Sequence, residues 1–383
     1  MTSVRPVFWA LLAALALWGC APFERAVLTP DRGRAELVAT GGTFRFFSDD
    51  APEVLNRAYA PVARAARGPL QVLTLSGGGP DGAFGAGVLV GWSDTGTRPE
   101  FNIVSGISIG AILAPYAFLG ATYDDDLGRL IDQTGTEFGT PSFGLFRLLR
   151  GGGAFSPTDL QRLVASIVTP RVVDEIAAAH DAGRRLYIAT THLDAQRLSI
   201  WDIGALAKLG YVRGGPIIEG VIAASASIPG AFPAVRIVWP GGDADFEELH
   251  VDGGTISQLW APDPRRLRAA GARSGTVFAI LNNALEPEFE VVESDTASVA
   301  AASASILLRA ASQAELSLLE RQARAAGYGF RLAYIRAGEP AALSALDFDP
   351  DRLREVYEAG RAAASDRAVW TSQVPRSYRE TLN

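Results

Sequence analysis

Residues 102–111 of the chain read NIVSGISIGA, and residues 111–114 continue as AILA. A short apolar run therefore enters a Gly-x-Ser-x-Gly pentapeptide and leaves it in helical composition, which predicts a strand, a sharp turn and a helix. Glycine at positions 106 and 110 lets the strand and the helix pack closely, while the Ser108 hydroxyl projects above the edge of the sheet. Ser108 is therefore the predicted nucleophile.

A second glycine cluster, GGGPDG, follows an apolar run that predicts a buried strand, and it precedes a predicted helix. Its backbone N–H groups suit an anion at the helix N-terminus. One interpretation is a dinucleotide loop, because Gly77, Gly79 and Gly82 fit the pattern G-x-G-x-x-G. Glu100 would then be the ribose-binding acid. The other interpretations are an oxyanion hole beside Ser108 and a structural tight turn, whereas a P-loop is excluded because no Gly-Lys-Ser/Thr follows.

An aspartate on a glycine turn follows another short apolar run, in the sequence LHVDGG at residues 249–254. Asp-Gly-Gly alone is usually only a turn. The order of glycine loop, Gly-x-Ser-x-Gly and Asp-Gly-Gly nevertheless resembles the patatin family of lipid acyl hydrolases. The segment ASASIPGAFP at residues 224–233 resembles the family's sequence before its aspartate. The resemblance is good over residues 70–260 and looser elsewhere.

The resemblance implies a catalytic dyad of serine and aspartate that uses no histidine. Ser108 matches the nucleophile of the family, and Asp252 matches its acid. The glycines that match the family's oxyanion loop are Gly77, Gly78 and Gly79. No cofactor is expected for this chemistry.

One departure from the family lies in the glycine loop, where Asp81 stands at a position that is often Arg or Lys. Stabilisation of an oxyanion would then come mainly from backbone N–H groups, and binding of a nucleotide phosphate is disfavoured. Asp252 would accept the serine proton, but a solvated aspartate titrates near about 4 and is a weak base. The dyad therefore requires a site from which water is largely excluded.

Histidine offers a rival mechanism, in which a Ser-Asp-His triad in the usual chain order would use Ser108, Asp194 and His250. The two other histidines have structural interpretations. His180 is predicted near a helix C-terminus, and His192 is predicted within a strand. No cluster of His, Cys and acidic residues has zinc spacing, so no metal site is predicted.

The amino terminus predicts export. A charged residue precedes an apolar run at residues 6–18, which is shorter than the roughly 20 residues of a spanning helix and indicates a signal peptide at residues 1–19. The sequence LWGC resembles a bacterial lipobox, so the sole cysteine, Cys20, is expected to carry lipid. Ala21 after it favours the outer membrane, facing the periplasm. An uncleaved anchor and an ordinary signal are the alternatives.

Residues 20–68 are interpreted as a lipidated tether and N-terminal preface, and residues 69–383 as the catalytic domain with C-terminal helices. Strands are expected at residues 70–76, 185–191, 198–201, 235–239, 276–281 and 331–336, and helices at residues 54–67, 83–92, 297–326 and 351–367. The alternation predicts an α/β fold with a mostly parallel central sheet covered by helices on both faces.

Three shorter signals complete this organisation. The acidic triplet at residues 124–126 and Ser156 are each expected to begin a helix. The triplet lacks the ligand spacing and the turn glycine of a calcium loop. The aromatic and glycine-rich segment 143–155 is expected to form a mobile rim.

The composition agrees with an exported globular enzyme. The chain has 383 residues, of which 48% are hydrophobic, and its formal net charge is −7. This length and composition allow one large domain with a sizeable core. The negative charge provides no basic surface for nucleic acid. Membrane contact would therefore depend on the lipid anchor and on apolar surface.

The sequence thus favours a serine acyl hydrolase that cleaves lipid carboxylic esters, of phospholipase A or lysophospholipase type. It would act through a Ser108 acyl-enzyme with Asp252 as general base. Two alternatives remain open: a non-catalytic envelope lipoprotein that binds lipid or protein, and a dinucleotide-binding oxidoreductase. The oligomeric state is left open.

Overall fold

The computed structural model describes residues 44–139, 155–239, 246–287, 289, 291–341, 347–365 and 369–375. The predicted signal peptide, Cys20 and most of the predicted rim lie outside these residues.

The secondary structure alternates between strands and helices along most of the chain. The first part consists of β1 (Arg45–Phe47), α1 (Pro52–Ala65), β2 (Leu70–Leu75), α2 (Gly82–Asp94), β3 (Ile103–Gly106), α3 (Ile109–Leu119) and α4 (Asp124–Phe138). The middle part consists of α5 (Pro157–Ile167), α6 (Pro170–Asp181), β4 (Arg185–His192), β5 (Arg197–Asp202), α7 (Ile203–Ala207), α8 (Tyr211–Ser225), β6 (Val235–Trp239) and β7 (Phe246–Asp252). The last part consists of α9 (Pro264–Ala269), β8 (Gly275–Ala284), α10 (Thr296–Ala325), β9 (Gly329–Ile335) and α11 (Pro350–Ser365).

The described strands form one mixed sheet in the order β1-β5-β4-β3-β2-β8-β9, with β7 joined to β4 and β6 joined to β7. The five strands from β4 to β9 in this order are parallel to one another. The pairs β1–β5, β4–β5, β4–β7 and β6–β7 are antiparallel. The predicted mostly parallel sheet is therefore confirmed, with an antiparallel extension at one side.

Helices cover both faces of this sheet, as the sequence predicted. Alternate residues of β2 point to opposite faces because side chains alternate along a strand. Leu73 and Leu75 join the core formed with α2, α3, α8 and α11. Leu70 and Val72 join the core formed with α1, α9 and α10. The strand therefore reads as a continuous apolar run, as is typical of a sheet buried on both sides.

Local signals placed several helix starts correctly. The Ser156 side chain accepts a hydrogen bond from the Thr158 N–H at the start of α5, with proline at the first helical position. The acidic triplet occupies the first turn of α4. His180 lies in the last turn of α6. Among the helices that the structure describes, none is both long and apolar enough to cross a membrane.

The sheet register brings the ends of two strands to the same level. Gly106, the last residue of β3, lies opposite Ile188 of β4. Beyond that point β7 takes the place of β3 beside β4, and Asp252 lies opposite Thr190. Ser108 follows Gly106 by two residues, as Thr190 follows Ile188. The turn after β3 and the end of β7 therefore meet at the edge where the parallel strands end.

Candidate active site

Ser108 occupies a strained turn between β3 and α3. Its backbone has φ 56° and ψ −127°, in a region that residues other than glycine rarely adopt. The neighbouring glycines leave no room for a side chain: a Cβ on Gly106 would lie 2.3 Å from the Gly110 carbonyl oxygen, and a Cβ on Gly110 would lie 2.4 Å from that of Leu75. The predicted strand, sharp turn and helix are therefore present.

A serine that the motif analysis did not assign holds this turn in place. Ser225, the last residue of α8, accepts a hydrogen bond from the Ser108 N–H at 3.0 Å. Its own hydroxyl donates to the Ala189 carbonyl oxygen of β4 at 2.7 Å. The Ser108 backbone is thereby joined to the sheet through α8. The only sequence signal for Ser225 is its position within the family-like segment at residues 224–233.

Asp252 ends β7 in a fully bonded backbone environment. Its N–H donates to the Ser227 carbonyl oxygen at 3.0 Å. Its carbonyl oxygen accepts from the Thr191 hydroxyl at 2.9 Å, and its Oδ1 accepts from the Gly254 N–H at 2.7 Å. The second carboxylate oxygen, Oδ2, is buried without a hydrogen-bond partner among the residues that the structure describes. Oδ2 is therefore free to accept a proton.

The electrostatics of Asp252 suit a base at neutral pH. The residue is only 4% exposed, and burial raises the pKa of its carboxyl group from 3.8 to about 7. The nearby Ser108 hydroxyl and the Gly254 N–H oppose that rise by lowering the pKa. The serine hydroxyl is thus close enough to act on the carboxylate, although the two do not form a well-aligned hydrogen bond. Catalytic hydrogen bonds are often long in free enzymes and tighten when substrate binds.

The three glycines of the predicted oxyanion loop have different roles. The Gly77 N–H donates to the Gln258 carbonyl oxygen at 3.0 Å, so it is not free to stabilise an oxyanion. Among the described residues, no hydrogen-bond acceptor is present for the N–H groups of Gly78 and Gly79. Both have positive φ, 154° and 57°. The Gly77 N–H is therefore used within the protein, and the oxyanion hole at Gly77, Gly78 and Gly79 stays a prediction.

Gln258 links the glycine loop to the turn after Asp252. Its carbonyl oxygen accepts from Gly77, and its Nε2 donates to the Gly254 carbonyl oxygen at 2.7 Å. Its own N–H donates to Glu315 Oε2 of α10 at 3.0 Å. Gln258 and Glu315 are positioning residues that the sequence analysis missed, because neither lies in a recognisable motif.

Asn282, at the end of β8, supports the glycine loop from the other side. Its N–H donates to the Ser76 hydroxyl and its Nδ2 to the Ser76 carbonyl oxygen, both at 2.8 Å. A Cβ on Gly78 would lie 1.8 Å from the Asn282 carbonyl oxygen, so only glycine fits there. Asp81, which departs from the family pattern, is buried in the short turn that follows.

The structure does not support the dinucleotide interpretation of this loop. A ribose-binding acid would have to lie near the carboxyl ends of the strands, beside the glycines. Glu100 instead precedes β3, at the opposite edge of the sheet. Its side chain is 75% exposed and forms an ion pair with Arg184 at 2.8 Å. The proposed acid and the glycine loop therefore cannot bind the same nucleotide.

His250 is not arranged as a catalytic base. Its Nδ1 lies 2.9 Å from the Thr190 hydroxyl, and its Nε2 lies 3.0 Å from Glu248 Oε2. Both ring nitrogens are therefore used within the sheet, and the carboxylate partner is Glu248 rather than Asp194. Burial lowers the pKa of His250 to about 4, despite the opposing effect of Glu248. The histidine triad is not supported.

His192, Glu248 and His250 form a buried group whose possible ligand atoms lie within 4.8 Å of one another. The linear spacing of these residues did not reveal the group, because β4 and β7 bring them together. Arg45 of β1 forms a two-point ion pair with Glu248 and is also buried. The guanidinium supplies the cation for this carboxylate, so the residues form an ion-pair network rather than a suitable metal site.

A cavity of about 610 Å³ lies between α5 and α8, and neither Ser108 nor Asp252 is part of its lining. Leu160, Val164 and Phe232 contribute apolar walls, whereas Arg162 and Glu219 are charged, and Ser227 also lines the cavity. The Ser227 carbonyl oxygen is the acceptor for the Asp252 N–H. The lining of the cavity is therefore joined to the backbone of Asp252 through Ser227.

The chain is similar to a described protein family and to a solved structure. The model of a family described as patatin-like phospholipase matches residues 73–261, a range that contains the glycine loop, Ser108 and Asp252. Among solved structures, the chain aligns with VipD from Legionella pneumophila at 11% sequence identity and a TM-score of 0.35, covering 79% of this chain and 68% of VipD. No curated protein matches the chain.

Proposed function

Because residues 73–261 belong to the patatin-like phospholipase family, we propose that the protein is a serine acyl hydrolase that cleaves carboxylic esters of lipids. The reaction would be of phospholipase A or lysophospholipase type. The buried and unpartnered Oδ2 of Asp252 beside the strained Ser108 is the observation that carries this proposal.

The proposed reaction has two steps. In the first, Ser108 Oγ attacks the acyl carbon while Asp252 Oδ2 accepts the hydroxyl proton. The carbon–oxygen bond to the leaving alcohol then breaks, and Asp252 returns the proton to that alcohol. In the second, water attacks the acyl carbon while Asp252 accepts a proton from it, and the bond from that carbon to Ser108 Oγ breaks as Asp252 returns the proton to Ser108. The products are an alcohol or lysolipid and a fatty acid.

The N–H groups of Gly78 and Gly79 would stabilise the negative charge that develops on the acyl oxygen. Neither N–H group has another acceptor among the described residues. The close packing of Gly78 against Asn282 holds the loop in this conformation. Preorganised donors of this kind contribute about 100-fold to 1000-fold in turnover. No side-chain cation is needed, which fits the presence of Asp81 in the loop.

The cavity between α5 and α8 would hold the acyl chain of the substrate. Its lining includes Ser227, whose carbonyl oxygen accepts the Asp252 N–H, and its volume is in the range typical of small-molecule sites. The apolar walls would remove the acyl chain from water. Exclusion of water by the bound lipid would also keep the Asp252 carboxylate desolvated.

The location of the protein is part of the proposal. We place it in the bacterial cell envelope, as an outer-membrane lipoprotein anchored through Cys20 and facing the periplasm. The lipobox-like sequence before Cys20 supports this placement. Metabolic labelling with a fatty acid should mark the wild type but not Cys20→Ser, and a labelled Cys20→Ser variant or an unlabelled wild type would contradict the anchor.

Hydrolysis by matched serine variants tests the activity. Purified wild type, Ser108→Ala and Ser105→Ala are assayed with a soluble short-chain ester and with phospholipid vesicles. Ser105 lies on β3, three residues before Ser108, and its hydroxyl donates to the Trp260 carbonyl oxygen, which also accepts from the Thr74 hydroxyl. We expect Ser108→Ala to lose at least about 100-fold in turnover and Ser105→Ala to remain active.

Two results would contradict the proposal. Activity of Ser108→Ala within a few-fold of the wild type would remove Ser108 from the mechanism. A folded wild type that hydrolyses none of a panel of phospholipids, lysophospholipids and glycerides would instead favour the non-catalytic lipoprotein.

A further inference from the structure

The N-terminal half of α10 projects beyond the body of the fold. The buried side chains of this helix begin at Ser312 and continue with Leu316, Leu319 and Ala323. No described side chain between residues 296 and 311 is buried. These 16 residues correspond to a helical overhang about 24 Å long.

This overhang lies at the same edge of the sheet as the dyad. Because α10 connects the parallel strands β8 and β9, it runs against their direction, and its N-terminal half extends past their carboxyl ends. Glu315, just after the overhang, fixes the position of the helix along the sheet. It accepts hydrogen bonds from the N–H groups of Gln258 and Leu259 at 3.0 and 3.1 Å. The overhang therefore begins beside the loop that braces the active site.

The exposed surface of the overhang is apolar around much of its circumference. Ile306, Leu307 and Leu308 are 61%, 70% and 39% exposed. Successive residues of a helix point about 100° apart, so these three side chains face three directions. A single partner groove would cover one stripe of the helix, whereas a lipid phase would surround all three.

The charge pattern and the adjoining segment favour the same partner. Between residues 296 and 314 the only charged residue is Arg309, and there is no acid. Phe289 and Val291, just before the helix, are 97% and 82% exposed. The acidic residues between 286 and 295 disfavour an anionic surface. A helix segment without acids and with exposed apolar side chains suits the interface of a neutral phospholipid layer.

We propose that the overhang of α10, together with the exposed side chains of Phe289, Val291 and Val292, docks on a neutral phospholipid surface and presents the active-site edge to it. The choice of a lipid surface as the partner rests on the proposed function. Docking places the catalytic edge against the substrate layer, and Glu315 connects the docked helix to the Gln258 loop.

Vesicle binding by two matched leucine variants tests this proposal. Leu307→Gln and Leu318→Gln make the same change on one helix, and both side chains are exposed, at 70% and 48%. The two residues lie on nearly the same helix face, about 16 Å apart along the axis. All proteins are full-length chains with Cys20→Ser and Ser108→Ala, so that neither an attached lipid nor hydrolysis affects binding.

Binding is measured by co-sedimentation with phosphatidylcholine vesicles at low and high salt. We expect Leu307→Gln to weaken binding at least fivefold with little salt dependence, and Leu318→Gln to bind within twofold of its parent. In the Ser108-containing background, Leu307→Gln should lose activity on vesicles while keeping activity on a soluble ester. Failure of hydrolysis alone would leave the vesicle result unchanged, so the two proposals are tested separately.

Three outcomes would overturn the docking proposal. One is equal vesicle binding by Leu307→Gln and its parent, and another is an equal loss in both leucine variants. The third is a parent protein that sediments as a dimer and becomes monomeric on Leu307→Gln, which would make a second copy of the chain the occupant of this surface.

Discussion

Asp252→Asn should abolish hydrolysis, and it should also make the free energy of unfolding less sensitive to rising pH. Burial raises the pKa of the Asp252 carboxyl group from 3.8 to about 7, so the folded state retains a proton that the unfolded state releases. Between about pH 4 and pH 7, the free energy of unfolding of the wild type therefore falls as pH rises. Asparagine does not ionise and removes this contribution.

The size of the effect follows from the shift. About three pH units correspond to a penalty of roughly 4 kcal/mol in the wild type above pH 7. When the pH is raised from 5 to 8, the unfolding free energy of Asp252→Asn should increase by about 2.5 kcal/mol relative to that of the wild type. An unsatisfied amide nitrogen beside Ser108 would cost about 1–3 kcal/mol, but that cost does not vary with pH.

Urea unfolding followed by tryptophan fluorescence at both pH values measures this difference. Asp174→Asn provides the matched control, because Asp174 is exposed on α6 and the change removes one carboxylate from the surface. A difference between wild type and Asp252→Asn that stays constant with pH would refute a desolvated carboxylate at position 252.

Three further predictions address the base, the glycine loop and the buried network. The value of kcat/KM should rise with pH through about 7, because Asp252 must lose its proton to act as base, and a rise centred near pH 4 would contradict the desolvated site. Gly78→Ala, whose Cβ would displace the loop from the Asn282 carbonyl oxygen, should lower kcat by at least about 100-fold with a smaller change in KM while the protein stays folded by circular dichroism. Steady-state kinetics of the folded variant that show only a higher KM would remove Gly78 from the oxyanion hole. Glu248→Gln should destabilise the fold by about 3–5 kcal/mol because it removes the charge of a buried carboxylate that pairs with Arg45, whereas Glu175→Gln at a surface ion pair should cost less than about 1 kcal/mol. Equal midpoints of urea unfolding for these two variants would contradict the last prediction.

The sequence predicted the elements that local patterns specify. The turn at Ser108 was recognisable because glycines on both sides are required for close packing, and α10 was recognisable from its helical spacing. The antiparallel direction of β5 was missed, because alternation with helices favours parallel strands, whereas β4 and β5 are joined by a tight connection. Periodicity alone does not show which way a neighbouring strand runs.

The site was predictable only where its residues carry motifs. Gly77 was assigned with its neighbours, but the acceptor of its N–H is Gln258, a contact set by tertiary structure. The network around Glu248 was also hidden, because Arg45 reaches it from β1, within the segment interpreted as a preface. These contacts depend on how distant strands align in the sheet, and single-sequence patterns do not contain that information.

Covalent labelling of the nucleophile tests the proposed dyad of Ser108 and Asp252 most directly. Wild type, Asp252→Asn and His250→Ala are incubated with a fluorophosphonate, and the adduct is located by mass spectrometry of peptides. We expect one adduct, on Ser108, that forms at least about 100-fold more slowly in Asp252→Asn and at a similar rate in folded His250→Ala. Rapid labelling of Asp252→Asn together with loss of labelling in folded His250→Ala would contradict the dyad.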